Sequence, residues 1–221
     1  MWKAEAVSAV IAIDGPAGSG KSTLARRLAS ALGIPYLNTG LMYRALAARA
    51  IAAGVAADDA DQLLALLAGI RFAMEGAPVA TLRIDDAEPG EDLVGAAVEA
   101  AVSSVARHPS VRRAMRDLQR GLGGPGGVIE GRDIGAVVFP EADVKFFLVA
   151  DEGARAARRR SERGGGDAVA EALADRDRRD AATHAHVAPE GAVVLDTGGL
   201  DADATFAAAL AVVRERIEAS T

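Results

Sequence analysis

The chain has 221 residues, half of them hydrophobic and a quarter charged, with no cysteine and a formal net charge of −6. This composition supports one domain with a full apolar core and excludes a disordered chain, a disulfide framework and a thiolate metal site. The acidic balance argues against a general binder of polymeric nucleic acid, and the lack of an uninterrupted apolar run of about 18 residues argues against a membrane span.

Ser8 to Ile13 reads as a buried first strand. It is too short for a signal-peptide core, and together with the absence of cysteine it points to a soluble, cytoplasmic protein. The strand runs into Gly15-Pro16-Ala17-Gly18-Ser19-Gly20-Lys21-Ser22-Thr23, which spells G-x-x-x-x-G-K-S between a strand and a helix. Bare backbone N–H groups of such a loop converge on phosphate oxygens, where side chains would block the approach. Lys21 is placed to reach the outer phosphates, the Ser22 hydroxyl to ligate Mg²⁺, and the helix N-terminus adds partial positive charge. Asp14, closing the strand, is a second candidate metal ligand. A dinucleotide-binding loop is excluded by its different glycine spacing, and a plain glycine-rich turn has no need of Lys followed by Ser.

Lys21 to Leu32 is expected to be helical, with Leu24, Leu28 and Leu32 on one face and Gly33 as the stop. A short strand over Ile34 to Leu37 follows. Asn38 or Thr39 then caps a helix to about Ala53, and Asp58 or Asp59 caps another through Leu67. Strand, helix, strand, helix implies a parallel sheet. Ile70 to Met74 and Ala80 to Ile84 read as a hairpin about Glu75-Gly76-Ala77-Pro78, and Leu93 to Val105 reads as helical. This β-rich insertion is what a substrate-binding subdomain on an α/β core would look like.

Pro109 suits a first helical position, and the helix runs through Leu122 to the stop Gly123-Gly124-Pro125-Gly126-Gly127. Val128 to Glu130 is a strand leading into Gly131-Arg132-Asp133-Ile134-Gly135, Val144 to Val149 is a further buried strand, and Asp151 caps the next helix. That helix carries Arg155, Arg158, Arg159, Arg160 and Arg163, and Gly164-Gly165-Gly166 interrupts it before Asp167 starts another. A helix-loop-helix flap with so few acidic partners at helical spacing wants an anion. Val193 to Leu195 is the last strand, and Asp201 or Asp203 begins a terminal helix to about Ala219. The chain has three lysines, Lys3, Lys21 and Lys145, against 22 arginines, a ratio that by itself decides nothing. His108, His184 and His186 have neither the spacing nor the acidic company of a metal site and read as structural or incidental.

Several segments resemble those of bacterial cytidylate kinases, nucleoside monophosphate kinases of the P-loop class: residues 13–23, Asn38-Thr39-Gly40-Leu41-Met42-Tyr43-Arg44, Val102-Ser103-Ser104-Val105-Ala106, the run from Gly131 to Pro140, and Arg176-Asp177-Arg178-Arg179-Asp180. The resemblance covers nearly the whole chain. It implies one α/β P-loop kinase domain over 1–221, with a parallel sheet flanked by helices, a core of 1–69, 106–154 and 181–221, a monophosphate-binding insertion at about 70–105 and an Arg-rich lid at about 155–180. The implied reaction moves the γ-phosphoryl group of ATP to CMP or dCMP, by a monomer that needs neither membrane nor nucleic-acid partner.

By that resemblance Thr39, Arg44, Ser103, Arg112, Arg132, Asp133, Arg176 and Asp180 surround the monophosphate. Arg44, Arg132 and Arg176 suit its phosphate, Asp180 its ribose hydroxyls, and Ser103, Arg112 and Asp133 its base. Cytosine offers an exocyclic donor that a carboxylate accepts, whereas uracil presents an acceptor there. Lys21, Arg132 and the lid arginines Arg155 and Arg159 are the expected catalytic cations; no histidine is required, because the attacking phosphate oxygen is already ionised. The sequence departs from the family at Thr183, where an arginine is usual, and over Leu93 to Val102, which reads as shortened and lacks a common arginine. Arg179, on the helical face shared by Arg176, Asp180 and Thr183, is expected to supply the missing charge. Two alternatives stay open: a P-loop kinase for another monophosphate or a small alcohol, and a nucleotide-binding regulator with little turnover. The intact lysine and the Arg-rich flap speak against the second.

Overall fold

In the computed structural model, which describes residues 9–163 and 187–218, strand β1 (Val10–Asp14) pairs in parallel with β5 (Gly127–Glu130) on one side and with β6 (Val144–Val149) on the other. Outward from β5 come β2 (Tyr36–Asn38), β4 (Thr81–Ile84) and β3 (Phe72–Glu75), and outward from β6 comes β7 (Val193–Asp196). All neighbours are parallel except β3 and β4, which form the expected hairpin, with Phe72 opposite Ile84 and Glu75 opposite Thr81. The hairpin continues the central sheet through a single parallel pairing of Tyr36 with Thr81.

Alternation along the strands sorts the core into two faces. Ile11, Ile13, Val128, Val144, Phe146 and Leu148 pack with helix α1 (Lys21–Leu32) and the terminal helix α7 (Ala202–Glu218). Ala12, Leu37 and Ile129 point the other way, into a layer made by α2 (Thr39–Ala52), α3 (Ala60–Ala68), α4 (Ala96–Val105) and α5 (Pro109–Gly123). The result is a helix–sheet–helix sandwich, the α/β architecture implied by the alternation of strands and helices.

The helices start and stop where their sequence signals lie. Helix α1 buries Leu24, Leu28 and Leu32 and closes at Gly33 in the left-handed region, where Ile34 N–H returns to the Ala29 carbonyl. Asn38 and Asp59 accept N–H groups of Leu41 and Gln62 as N-caps, Asp151 caps α6 (Glu152–Arg163) through Ala154 N–H, and Asp201 caps α7 through Ala204 N–H. Leu93 to Val105 is helical in two pieces, a 3₁₀ turn at Glu91–Val94 and then α4, parted at Gly95. A π-helical turn at Ile134–Val138 follows Asp133 and has no counterpart in the sequence reading. The expected second flap helix, with Arg176, Arg179, Asp180 and Thr183, lies outside the described residues, as do His184, His186 and the side chain of Arg159.

Phe146 has no exposed surface and is wedged between the strands and α1. Phe146→Ala is expected to lower the unfolding free energy by about 3–5 kcal/mol; urea denaturation measures it, and a loss under about 1 kcal/mol would mean the layer closes over the void.

Candidate active site

Parallel register brings three strand ends together. Ile13 and Asn38 both lie opposite Glu130, so the loop after β1, the first turn of α2 and the turn after β5 meet along the C-terminal edge of the sheet. That edge is where open α/β sheets hold ligands. The loop from Gly15 to Gly20 curls over it. Gly15 has φ +146°, and a Cβ there would come within 2.4 Å of the Leu148 carbonyl oxygen. Gly20, with φ +88°, is the N-cap of α1 and offers no side chain, which leaves the first N–H groups of that helix open to an anion.

Lys21 and Ser22 begin α1 inside the resulting cleft, which is also lined by Arg44, Ser103, Arg132 and Asp133. Lys21 is 9% exposed, and its Nζ donates to the Pro16 carbonyl at 2.7 Å, folded back along its own loop. Arg132 crosses to the same loop and donates from Nη1 to the Gly15 carbonyl at 2.7 Å. Arg155, on α6 and only 8% exposed, braces the loop from outside by donating to the carbonyls of Ala17 and Ala150.

Glu130 stands at the junction and was not singled out from the sequence. Its carboxylate, 3% exposed, accepts the Ser22 hydroxyl at 3.0 Å and the Tyr36 hydroxyl at 2.5 Å, while its backbone carbonyl accepts the Thr39 hydroxyl at 2.7 Å. Burial and the adjoining Glu130 charge push the Tyr36 phenol well above its usual range, so it stays a donor. The signal available in sequence was an acidic residue ending an apolar strand immediately before Gly131-Arg132-Asp133.

Asp14 is the converse case. Expected as a possible metal ligand, it is 1% exposed, and its two oxygens accept the Ile134 and Gly135 N–H groups at 2.7 Å each. With both oxygens accepting from the π-helical turn, Asp14 serves as a structural tie and is not among the residues that line the cleft. Burial pushes its carboxyl up to about 6, helped by the Asp133 charge and opposed by the two N–H donors and Lys21.

The far wall carries the residues expected around the acceptor. Asp133 is held by Arg112, whose Nη2 lies 2.7 Å from its carboxylate. Ser103 is buried on α4 and faces the cleft. Arg44 is buried on α2 and donates to the Leu93 carbonyl at 2.9 Å and to the Glu99 carboxylate at 2.7 Å. Tyr43 and Gln119 complete this wall and were not assigned roles from sequence. Burial and the nearby Asp133 carboxylate hold the Tyr43 hydroxyl well above its usual range, so it too remains protonated. His108 joins α5 to the Ala57 carbonyl at 2.9 Å, in keeping with a structural role. Behind the phosphate loop a second cleft opens between Ser19, Thr23, Arg158, Thr197 and Asp201. There the Thr197 hydroxyl bridges Arg158 to the Ser19 carbonyl.

The tie at Asp14 predicts a titration. Because the folded chain holds this proton more tightly than an unfolded one, the contribution of Asp14 to stability is complete below about pH 3.8 and is lost as pH rises through about 6. Carboxyl-detected NMR should place its midpoint near pH 6; a midpoint at or below the ordinary 3.8 would refute the burial argument. In Asp14→Asn the amide offers one acceptor atom to two N–H groups, and stability should fall by about 1–3 kcal/mol.

Comparison with known proteins agrees with this geometry. The family model for cytidylate kinase matches residues 11–215. A cytidylate kinase of Paramagnetospirillum magneticum is 46% identical, covering 94% of this chain and 98% of its own. One from Thermus thermophilus is 44% identical, covering 93% and 98%, and one from Methylocella silvestris is 45% identical, covering 92% and 93%. With the phosphate loop, the Gly-Arg-Asp turn and the full-length match in agreement, the chain belongs to the cytidylate kinase family.

Proposed function

We propose that this cleft transfers the γ-phosphoryl group of ATP to CMP or dCMP, giving ADP and the nucleoside diphosphate. One observation carries the assignment of roles: Lys21 and Ser22 of the phosphate loop and Ser103 and Asp133 of the opposite wall line the same cleft. A donor phosphate on the loop and a base against Asp133 then leave the acceptor phosphate between them, next to Arg44 and Arg132. Positioning two anionic groups in line and neutralising them is most of what such a reaction needs.

The chain's own residues divide the work. The loop N–H groups and the N-terminus of α1 take the triphosphate. Lys21 exchanges its Pro16 carbonyl for phosphate oxygen, and Arg132 likewise leaves the Gly15 carbonyl, each trading a neutral acceptor for a charged one. Asp133, oriented by Arg112, accepts from the exocyclic amine of cytosine, and Ser103 supports the base. The second cleft, with Arg158 fixed by Thr197, takes the donor nucleoside. Arg159, Arg176 and Asp180 are assigned to the acceptor and lid by family resemblance, and Arg179 by the helical spacing that puts it on the face expected of Arg176, Asp180 and Thr183.

Magnesium fits the donor set at Ser22 and Glu130, a hydroxyl and a buried carboxylate 3.0 Å apart at the mouth of the loop, both hard oxygen ligands. Bound with ATP, the ion would neutralise charge on the outer phosphates. Glu130 would accept from the ion's hydration shell or ligate it directly, with Tyr36 fixing the carboxylate.

Two measurements test the reading. Lys21→Ala should lower turnover by about a hundredfold or more at an unchanged melting temperature, since this cation serves the transition state rather than the core; turnover within about tenfold of the parent would remove Lys21 from the mechanism. In a coupled ADP-release assay across CMP, dCMP, UMP, AMP and shikimate, CMP should exceed UMP by about a hundredfold or more in kcat/KM, and Asp133→Asn should narrow that gap. A ratio unchanged in Asp133→Asn would place base reading elsewhere, and turnover of shikimate alone would replace the acceptor class.

A further inference from the structure

From Leu93 to Ala106 the only charged residue is Glu99. It stands on α4 one helical turn before Ser103, so the two share a face, yet they serve different neighbours. Ser103 lines the cleft, whereas Glu99 reaches Arg44 from behind, 2.7 Å from its Nη2. The side chains of Arg44 and Glu99 are 8% and 20% exposed, so water and salt screen the pair weakly. The other Nη of Arg44 is taken by the Leu93 carbonyl at 2.9 Å. Arg44, a cation on the acceptor side of the cleft, is therefore already matched with a carboxylate before any substrate arrives.

The geometry points to Glu99 as the residue that sets how tightly the acceptor phosphate is held: it is a built-in counter-anion to Arg44, against which a dianionic phosphate must compete. The inference rests on reading Arg44 as a phosphate contact. Two effects of removing the charge act in the same direction. Without the Glu99 carboxylate, the ligand-free protein keeps a buried guanidinium with less compensation, which raises the free state. With phosphate bound, the repulsion between Glu99 and the substrate disappears, which lowers the bound state. Both tighten binding. Glu99→Gln retains an oxygen that accepts from Arg44, so the position of the guanidinium is kept while the charge is lost.

The test is calorimetric titration of CMP, without donor nucleotide, into the full chain and into Glu99→Gln, Glu99→Ala and Arg44→Ala. Glu99→Gln should bind CMP about fivefold or more tighter, and its affinity should fall more steeply between about 50 and 300 mM salt, because one more uncompensated positive charge faces the phosphate. Glu99→Ala should tighten binding as well and guards against a peculiarity of the amide; melting curves check that each variant is folded. Unchanged or weaker CMP binding in folded Glu99→Gln and Glu99→Ala overturns the inference. Tightening with an unchanged salt slope also overturns it, since altered packing would then be the cause. Arg44→Ala decides the underlying reading separately: it should weaken CMP by about tenfold or more. If it does so while the Glu99 variants bind as the parent does, the role of Glu99 alone fails. If Arg44→Ala binds CMP normally, Arg44 is not a phosphate contact and both fall.

Discussion

Asp14 ends β1 by accepting two backbone N–H groups from the turn that follows Gly131-Arg132-Asp133, and because the next residue is Gly15, a single buried side chain fixes the spacing between the loop that would hold the donor and the turn that would read the acceptor. Parallel pairing of β1 with β5 sets the strands side by side, but it constrains only their ends. What happens beyond the ends is decided by side chains, and the carboxylate at Asp14 makes the first of those decisions. Its raised affinity for a proton is the cost of burying charge where two N–H donors must be satisfied.

Glu130 occupies the equivalent place on the neighbouring strand and does the opposite job. Asp14 turns away from the cleft to hold backbone, while Glu130 turns toward Ser22 and stays on the cleft wall. Two carboxylates at adjacent strand ends are thus separated by role through their hydrogen-bond partners, with backbone N–H groups for one and hydroxyls for the other. Hydroxyls of Ser22 and Tyr36 can rotate to exchange partners when a cation enters, whereas peptide N–H groups in a turn cannot. The carboxylate with movable partners is the one suited to ligand chemistry.

This division could not be read from the sequence. Both residues are acidic and end apolar strands, and only the fold shows that Asp14 meets N–H groups at positions 134 and 135. The phosphate loop was legible because its residues are contiguous and each glycine, Lys21 and Ser22 has a separate physical reason for its place. Helix bounds were legible for the same reason: Gly33, Asn38, Asp59, Asp151 and Asp201 act within a few residues of their own position. The hairpin was readable as a hairpin, since its pairing is local, but its attachment to the central sheet through Tyr36 and Thr81 is a long-range contact with no local signature. Arg44 could be placed by resemblance, while its partner Glu99 could not, because the segment that carries Glu99 departs from the family pattern.

The cations lining the cleft each hold an internal acceptor, and the kind of acceptor differs along it. At the phosphate loop Lys21 donates to the Pro16 carbonyl and Arg132 to the Gly15 carbonyl, neutral groups that on the proposed reading a phosphate oxygen would replace with a stronger, charge-assisted bond. On the opposite wall Arg44 lies against the Glu99 carboxylate, and on the proposed reading an acceptor phosphate arriving there would meet a cation whose charge is already answered. Displacing a carboxylate from Arg44 is therefore contested in a way that displacing a backbone carbonyl is not. A kinase that must release a nucleoside diphosphate carrying more charge than the monophosphate it bound gains from that asymmetry, because acceptor-side cations without internal partners would hold the product more tightly than the substrate.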